Sequence, residues 1–446
     1  MTSRLARPLL AALVALLVLS GCSGGSDTPT GSGSPGASAS SAASRAAAAK
    51  TRACDAAVDR LVSSTQAYVD SYGPAVSGKQ SSGGDAGSGA GGPDLRKGLD
   101  AAKSRIERLQ CDPGPLRSAL DSGLGRVTAR GALAGAVRAQ LVAALTGAAS
   151  TTPETVRLAP DDDLAALLPT LAPGSTVVLP AGTVRLSRTL VLLQGVTLRG
   201  QGRGRTTLAS TARDTGVLVL TDGKVELDAV TVRHTGAKSA SVVVAGPTSS
   251  LVLTDAAVSG ARSGGDPASG RGGGSGGGGT GVLMSARTGQ AGDRGTTLEV
   301  TGTRIRDNDA AGVLLSGGHR ASIRHTTFTR NGQCGVCFLD TSSGALRDST
   351  LSGNGAGVAV VDRARPLLRD LSIRGGQVGV QAGNTAAPVV RHVTVRGTAR
   401  AAMIFTDRAR GRVDGATCLG TPAGIVVAAK AVPYLGRNRC GFQPGR

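Results

Sequence analysis

Three stretches in the C-terminal half of the chain repeat one pattern: LEVTGTRIRDNDAAGVLL at residues 298–315, ASIRHTTFTRNGQCGVCF at 321–338 and GALRDSTLSGNGAGVAV at 344–360. In each stretch an apolar residue is followed five positions later by another. These pairs step by 23, 23, 22, 22 and 23 residues through Val300/Ile305, Ile323/Phe328, Leu346/Leu351, Leu368/Ile373, Val390/Val395 and Val413/Cys418. A short fixed period of brief strands predicts a solenoid, in which each coil buries its apolar face by stacking on its neighbours.

The repeat extends beyond these pairs. Earlier pairs at wider spacing bring the total to about nine coils: Leu193/Leu198, Leu227/Val232 and Leu253/Val258. The glycine-rich run 263–281 interrupts the pattern, and we interpret it as an insertion loop. An asparagine recurs three residues past the inward apolar residue, at Asn308, Asn331 and Asn354, which predicts a stacked side-chain ladder with a structural role.

A resemblance to a known family appears where the repeat begins. Asp161–Asp163 can cap a short apolar-faced helix that ends at Pro173 and Gly174. PGSTVVLPAGTVRL at 173–186 and GVTLRGQG at 195–202 then follow. This arrangement resembles the opening of pectate-lyase-like right-handed parallel β-helix proteins. The resemblance covers about residues 160–440 and implies an all-β solenoid over 161–440 with a capping helix at its open end.

The first 44 residues resemble an export leader and a tether. Arg4, Arg7 and a short apolar run precede Leu19-Ser-Gly-Cys22, which is typical of a signal peptide. Leu19-Ser-Gly-Cys22 resembles the lipobox of bacterial lipoproteins. That resemblance implies that segment 1–22 ends in a lipid-anchored Cys22, on the extracytoplasmic face of the cell membrane. The Ser/Gly/Ala/Pro-rich segment 23–44 is predicted to be a flexible tether.

Between the tether and the solenoid, residues 45–150 have helical periodicity. Two amphipathic helices are predicted, one carrying Val58, Leu61 and Tyr68, and the other carrying Leu99, Ile106 and Leu109. One or two further helices follow, and then a proline-punctuated linker at 151–160. No chemistry is evident in this region, so we interpret it as a helical spacer or docking bundle.

The cysteines fit an exported protein. Apart from Cys22 there are six, and sequence alone allows 15 pairings; the local pairs are Cys54 with Cys111 and Cys418 with Cys440. Cys334 and Cys337 can bridge across a turn but not along an extended strand. A zinc site formed by these two with His319 and His325 is the alternative.

Stacking converts columns of the repeat into rows of side chains about 4.8 Å apart. A polar row lies four residues past the inward Val or Met, with arginines following it: Asp340, Asp362, Asn384 and Asp407, then Arg363, Arg365, Arg408 and Arg410. A second row should face solvent as a basic stripe: Arg324, Arg347, Arg369 and Arg391. Beside the stripe run His325, Asp348, Asp370 and His392.

The acidic row has two interpretations. Aspartate commonly closes tight turns through its own side chain. Pectate lyases and polygalacturonases, which the fold resembles, use clustered aspartates to hold calcium or to act as general acid and base, and lyases add a basic group that removes a proton. The resemblance therefore implies catalytic candidates: Asp340, Asp362, Asp407, Arg363 and Arg408. No catalytic motif of the family is complete.

Two functions remain open. The net charge of +20 favours an acidic partner, which predicts a non-enzymatic surface protein that binds acidic polysaccharide through the row from Arg324 to Arg391. The alternative is a lyase, epimerase or hydrolase acting on such a polysaccharide, with or without calcium. The absence of tryptophan counts against a neutral-sugar hydrolase. Export and the lack of stacking aromatics argue against nucleic acid.

Overall fold

The computed structural model describes residues 36–76, 92–127, 132–221, 223–264, 278–284 and 296–444. Two hydrogen-bonded sheets form the solenoid, one of 20 strands and one of 11 strands among these residues. All pairings between the strands of these sheets are parallel, and the larger sheet bends at a corner into two faces. The cross-section of the solenoid therefore has three faces, called the first, second and third face in chain order within each coil.

The strands of each face are short. The first face contains Thr155–Arg157, Thr176–Val178, Thr197–Arg199, Lys224–Asp228, Ser250–Thr254, Thr297–Thr301, Arg320–Arg324, Val389–Arg391, Arg412–Asp414 and Tyr434–Leu435. The second face contains Gly182–Leu186, Thr206–Ser210, Thr231–His234, Ala257–Ser259, Arg304–Arg306, Thr327–Thr329, Thr394–Arg396 and Thr417–Leu419. Two long strands, Ser343–Ser352 and Arg365–Arg374, run through both faces.

The third face is the 11-stranded sheet. It contains Leu190–Leu192, Asp214–Val219, Ala240–Ala245, Val282–Met284, Ala311–Leu315, Cys334–Phe338, Ala356–Val360, Val378–Ala382, Ala401–Phe405, Ile425–Val427 and Phe442–Pro444. About eleven coils result, whereas the sequence predicted about nine. The prediction fell short at both ends: the first coils differ in loop length and so lack the fixed period, and Tyr434–Leu435 and Phe442–Pro444 form a last coil beyond Val413/Cys418. Thr155–Arg157, inside the predicted linker, already pairs with Thr176–Val178.

The interior of the solenoid is the predicted apolar column. Val300, Ile323 and Leu346 face each other in successive coils and are at most 1% exposed. Phe328, Phe338 and Phe405 are fully buried among them. At the N-terminal end, a helix over Leu164–Leu167 begins at Asp163, whose side chain accepts a hydrogen bond from the Ala165 amide. Leu164 packs into the same core, so the capping helix is confirmed.

The corners of the solenoid depend on left-handed backbone conformations. At the corner between the first and second faces, His325, Asp348, Asp370 and His392 have φ between 47° and 52°. At the corner between the third and first faces, Asp340, Asp362, Asn384 and Asp407 have φ between 55° and 63°. Gly, Asn, Asp and His are the residues that tolerate this region best, so both polar rows occupy positions that the turns themselves require.

Four longer helices precede the solenoid: α1 over Gly36–Val76, α2 over Gly92–Leu109, α3 over Pro113–Gly125 and α4 over Ala132–Leu145. The chain divides into two compact units at Ala49, within α1. Because α1 begins at Gly36, the predicted flexible tether needs correction for residues 36–44, where alanine and serine continue the helix. Among the described residues no helix is both long and apolar enough to cross a bilayer.

Within the second unit, Lys50–Arg446, the helices pack on the outside of the third face. Leu61, Ile106 and Leu120 are almost fully buried in a cluster that includes Leu218 and Val244 of the first coils. Apolar side chains that point outward on this face are therefore covered by helices. The predicted helical region is a docked bundle.

Three disulfides join the six cysteines. Cys54–Cys111 and Cys418–Cys440 confirm the predicted local pairs. Cys334 and Cys337 are also bonded, although both lie in one strand. Their Cα atoms are 6.0 Å apart, against about 10 Å for three fully extended residues, so the strand bends there. Cys22 and the leader, and residues 265–277 of the predicted insertion loop, lie outside the described residues.

Candidate functional site

The basic row forms a ladder on the outside of the first face. Arg324 pairs with Arg347, Arg347 with Arg369, and Arg369 with Arg391 in the strand register. All four are exposed, because each follows a buried inward residue such as Ile323 or Leu346. We call these four residues the arginine ladder. Neighbouring strands place successive guanidinium groups on a repeat of about 4.8 Å.

Few carboxylates neutralise the arginine ladder. Arg369 Nε donates to Asp370 Oδ2 at 2.8 Å, and Arg324 Nε donates to Thr301 Oγ1 at 3.2 Å. Within the described part of the chain, no carboxylate forms an ion pair with Arg347 or Arg391. The ladder ends where Arg391 faces Asp414. A hydrogen bond from Arg412 lowers the pKa of Asp414, and the charge of Arg391 lowers it further. The ladder is a mostly unpaired line of positive charge.

The row beside the ladder serves the corner between the first and second faces. Its left-handed backbone explains why His325, Asp348, Asp370 and His392 stand there. His392 Nδ1 lies 3.3 Å from Asp370 Oδ1. Asp370 pairs with Arg369, and the other three side chains leave the rest of the ladder unpaired.

Sequence reasoning missed a column of hydroxyl groups on the second face. Thr327 pairs with Thr350, Thr350 with Ser372, and Ser372 with Thr394. All four side chains point outward, directly across the corner from the arginine ladder. The signal was present in the sequence: Arg-x-x-Thr or Arg-x-x-Ser recurs at Arg324, Arg347, Arg369 and Arg391. We call these four residues the hydroxyl column. Beyond it, Arg374 and Arg396 add two exposed positive charges.

The acidic row is bonded to the backbone of neighbouring coils. Asp340 Oδ2 accepts from the Gly317 amide at 2.8 Å, Asp362 Oδ2 from the Asp340 amide at 3.2 Å, and Asp407 Oδ2 from the Asn384 amide at 3.0 Å. Asp362 Oδ1 also accepts from Asn384 Nδ2 at 2.7 Å. These bonds run between coils, not to the backbone two residues on. The row therefore ties successive corners together.

The electrostatics of Asp407 point away from general-acid chemistry. Hydrogen bonds from the Asn384 amide and the Thr406 hydroxyl lower the pKa of Asp407, whereas a general acid needs a raised pKa. Arg363 and Arg408 each lie one residue past an aspartate and are exposed. Among the described residues, neither forms an ion pair with Asp362 or Asp407. The structure places the candidate catalytic residues at one corner. The Asp340 amide donates to Asp362 Oδ2 there, but no side chain of one candidate bonds the side chain of another in the described structure.

The same holds for metals. No group of three or more His, Cys, Asp or Glu side chains among the described residues is arranged to hold a metal ion. The zinc alternative is wrong, because Cys334 and Cys337 are bonded to each other. His319 is fully buried and contacts the Thr296 hydroxyl.

Comparison with known proteins places the fold. Residues 280–439 match the family model described as the right handed beta helix region. A search of curated proteins found no match. The predicted right-handed parallel β-helix is confirmed.

Several solved structures are similar to this chain at low identity. An alginate lyase from Paenibacillus sp. is 13% identical, with 64% of this chain and 99% of that chain covered and a TM-score of 0.41. The catalytic domain of a family 87 α-1,3-glucanase is 9% identical, with 67% and 69% covered and a TM-score of 0.43. The A-module of a mannuronan C-5 epimerase from Azotobacter vinelandii is 14% identical, with 61% and 91% covered and a TM-score of 0.32.

Proposed function

We propose that this protein is a non-catalytic surface protein whose β-helix binds an acidic polysaccharide along the arginine ladder. The carrying observation is the ladder itself, in which exposed guanidinium groups recur once per coil on one line. The coil repeat of about 4.8 Å is comparable to the length of one sugar unit in an extended chain. A linear polymer with an acid group on each unit can therefore meet one arginine per unit.

The hydroxyl column supports the same assignment. A polysaccharide on the ladder presents ring hydroxyl groups beside its acid groups, and Thr327, Thr350, Ser372 and Thr394 offer both donors and acceptors to them. Arginine suits the acid groups because its planar fork can donate two parallel hydrogen bonds to one carboxylate or sulfate. The surface thus pairs charge recognition with sugar recognition.

The proposed function includes the lipid anchor that the sequence predicts. Acylation of Cys22 would hold the protein on the outer face of the cell membrane, where the β-helix could reach cell-envelope or environmental polysaccharide. Globomycin, which blocks lipoprotein signal-peptide cleavage, tests this part. Accumulation of the uncleaved form supports anchoring, and normal processing in its presence contradicts it.

The binding test uses the chain from Ser23 onward with polygalacturonate, alginate and heparin. Arg347→Gln with Arg391→Gln removes two ladder charges that have no ion-pair partner in the described structure. Arg400→Gln is the matched control, since Arg400 is exposed at the corner between the second and third faces. We expect the double variant to lose about three- to fivefold in affinity per arginine at low salt, with a weaker salt dependence, and the control to bind normally.

Turnover is followed in the same samples. Polymer size and ultraviolet absorbance from unsaturated ends are measured with and without calcium. Unchanged polymer supports a binding protein. Shortened polymer or new unsaturation would contradict the binding function and support the lyase or hydrolase alternative. Asp340, Asp362 and Asp407 would then be the first residues to substitute. Equal affinity of the double variant and the Arg400→Gln control would remove the ladder as the binding surface.

A further inference from the structure

A cleft of about 770 Å³ lies between the helical bundle and the start of the β-helix. One wall is α4. The capping segment Leu164–Thr170 forms the base, and the opposite wall is the corner between the second and third faces in the first two coils. This volume lies within the range of about 300–1,000 Å³ that is usual for small-molecule sites, which favour junctions of this kind.

The lining of the cleft is mixed, and it includes several apolar side chains. Ala136 and Ala139 of α4 line one side, Ala166 and Pro169 line the base, and Leu193 lines the third-face side. Small residues on α4 keep the helix from filling the gap. Ala139 is exposed into this space, so a ligand with an apolar body would meet hydrocarbon on several sides.

The rim is basic. Arg185, Arg188 and Arg213 line the cleft, and all three are exposed. None of them forms an ion pair with a carboxylate in the described ranges. Of the two acids at the cleft, Asp163 is engaged in capping the short helix, at 2.9 Å from the Ala165 amide. Burial raises the pKa of Asp214, and the charge of Arg213 acts in the opposite direction.

The cleft is held open by hydrogen bonds at its base. Gln194 is 8% exposed, and its Nε2 donates to the carbonyl oxygens of Leu168 and Leu171 at 2.9 and 2.7 Å. Its Oε1 accepts from Gln140 Nε2 on α4 at 3.3 Å. One side chain thereby fixes the capping segment, the first coil and α4 relative to each other. A preformed site loses little free energy to ordering when a ligand binds.

We propose that this cleft binds a small amphipathic anion, a molecule with one acidic group on an apolar body. The three rim arginines would receive the acid group, and the alanine-lined interior would receive the hydrocarbon. The charge excludes amphipathic cations, and the apolar lining disfavours short polar acids. This site is separate from the arginine ladder, which lies on the first face of later coils.

The test measures octanoate, 1-octanol and acetate binding to the chain from Ser23 onward by isothermal titration calorimetry. This chain contains every residue that the structure describes. Octanoate should bind saturably with one site per chain, 1-octanol more weakly and acetate not measurably. Arg188→Gln with Arg213→Gln should weaken octanoate by at least about tenfold, down to the level of 1-octanol. Arg205→Gln, an exposed arginine outside the cleft, should change nothing.

A second variant separates the apolar part of the site from its charge. Ala139→Trp places an indole in the cleft from an exposed helix position, and it should weaken octanoate and 1-octanol alike while circular dichroism and melting temperature stay normal. Absence of saturable octanoate binding would overturn the proposal. So would equal affinity for octanoate and 1-octanol in the unaltered protein, or unchanged binding to Ala139→Trp.

Discussion

The asparagine ladder inside the β-helix offers a test of how coils hold each other. Asn331 is fully buried, and its Nδ2 donates to Asn354 Oδ1 at 2.9 Å and to the Ile305 carbonyl oxygen at 3.3 Å. Its Oδ1 accepts from Asn308 Nδ2 at 2.8 Å. Asn331→Ala removes three side-chain hydrogen bonds, at about 1 kcal/mol each, and leaves the Asn308 amide without this acceptor. We expect a loss of about 3–5 kcal/mol in the free energy of unfolding.

Guanidinium chloride unfolding, followed by far-ultraviolet circular dichroism, measures this loss. Gln333→Ala is the control, because Gln333 is exposed two residues further along the same coil. A solenoid coil contacts only its neighbours, so the damage should spread through the interfaces with the coils of Asn308 and Asn354. If the free energy of unfolding of Asn331→Ala lies within about 1 kcal/mol of the control, the ladder does not stabilise the stack in the way the hydrogen bonds indicate.

Three further predictions concern stability. Burial lowers the pKa of His234 below 6.5, and the ring donates from Nε2 to the Lys238 carbonyl oxygen at 3.2 Å. The unfolded chain therefore binds the proton more tightly than the folded chain does. The stability that the neutral ring contributes is fully present above about pH 6.5 and declines as the pH falls below it. Thermal melts across this range should show a weaker pH dependence for His234→Gln, and parallel curves would contradict the assignment. Asp362 has φ of 63°, and its side chain bonds two neighbours. Asp362→Asn should be the most stable of three variants, Asp362→Gly the next and Asp362→Ala the least stable. An alanine variant as stable as the asparagine variant would argue against the turn role. Replacing both cysteines of a disulfide with serine should lower the free energy of unfolding by about 4 kcal/mol for Cys54–Cys111 and about 3 kcal/mol for Cys418–Cys440. The difference follows from the loop lengths, because the paired cysteines are 57 and 22 residues apart. Equal losses in denaturant unfolding would contradict the loop-entropy reasoning.

The interior of the β-helix was predictable because its signal is local and repeated. Pairs such as Ile323/Phe328 mark the inward positions in every coil, and a constant step fixes which residues stack. The same logic located the arginine ladder and the asparagine ladder. Where the step varies, as in the coils before Thr297, the periodic signal weakens. The last coil, with Tyr434–Leu435 and Phe442–Pro444, was also not predicted.

The hydroxyl column escaped for a different physical reason. Along a strand, inward and outward residues alternate, but a left-handed corner residue uses one position without continuing the alternation. After Arg324 points outward, His325 turns the chain, Thr326 is buried at 1% exposure and Thr327 points outward. Strict alternation therefore assigns the inward and outward positions wrongly after each corner.

Contacts between distant segments were the least predictable. The aspartate row was recognised as turn chemistry, but its hydrogen bonds reach the preceding coil, which depends on how the corners stack. The cleft beside α4 depends on the docking of a helix against strands some 50 residues further along. No local pattern encodes such a junction, because each segment alone shows only an apolar stripe.

The arginine ladder also affects the mechanics of the coils that carry it. Like charges that face each other across paired strands repel, so Arg324, Arg347, Arg369 and Arg391 work against the stacking that positions them. A polyanion laid across all four would relieve this repulsion and bridge four coils at once, acting as a splint along the solenoid axis. Bound polymer would then make these coils more rigid, and their unfolding would become more cooperative.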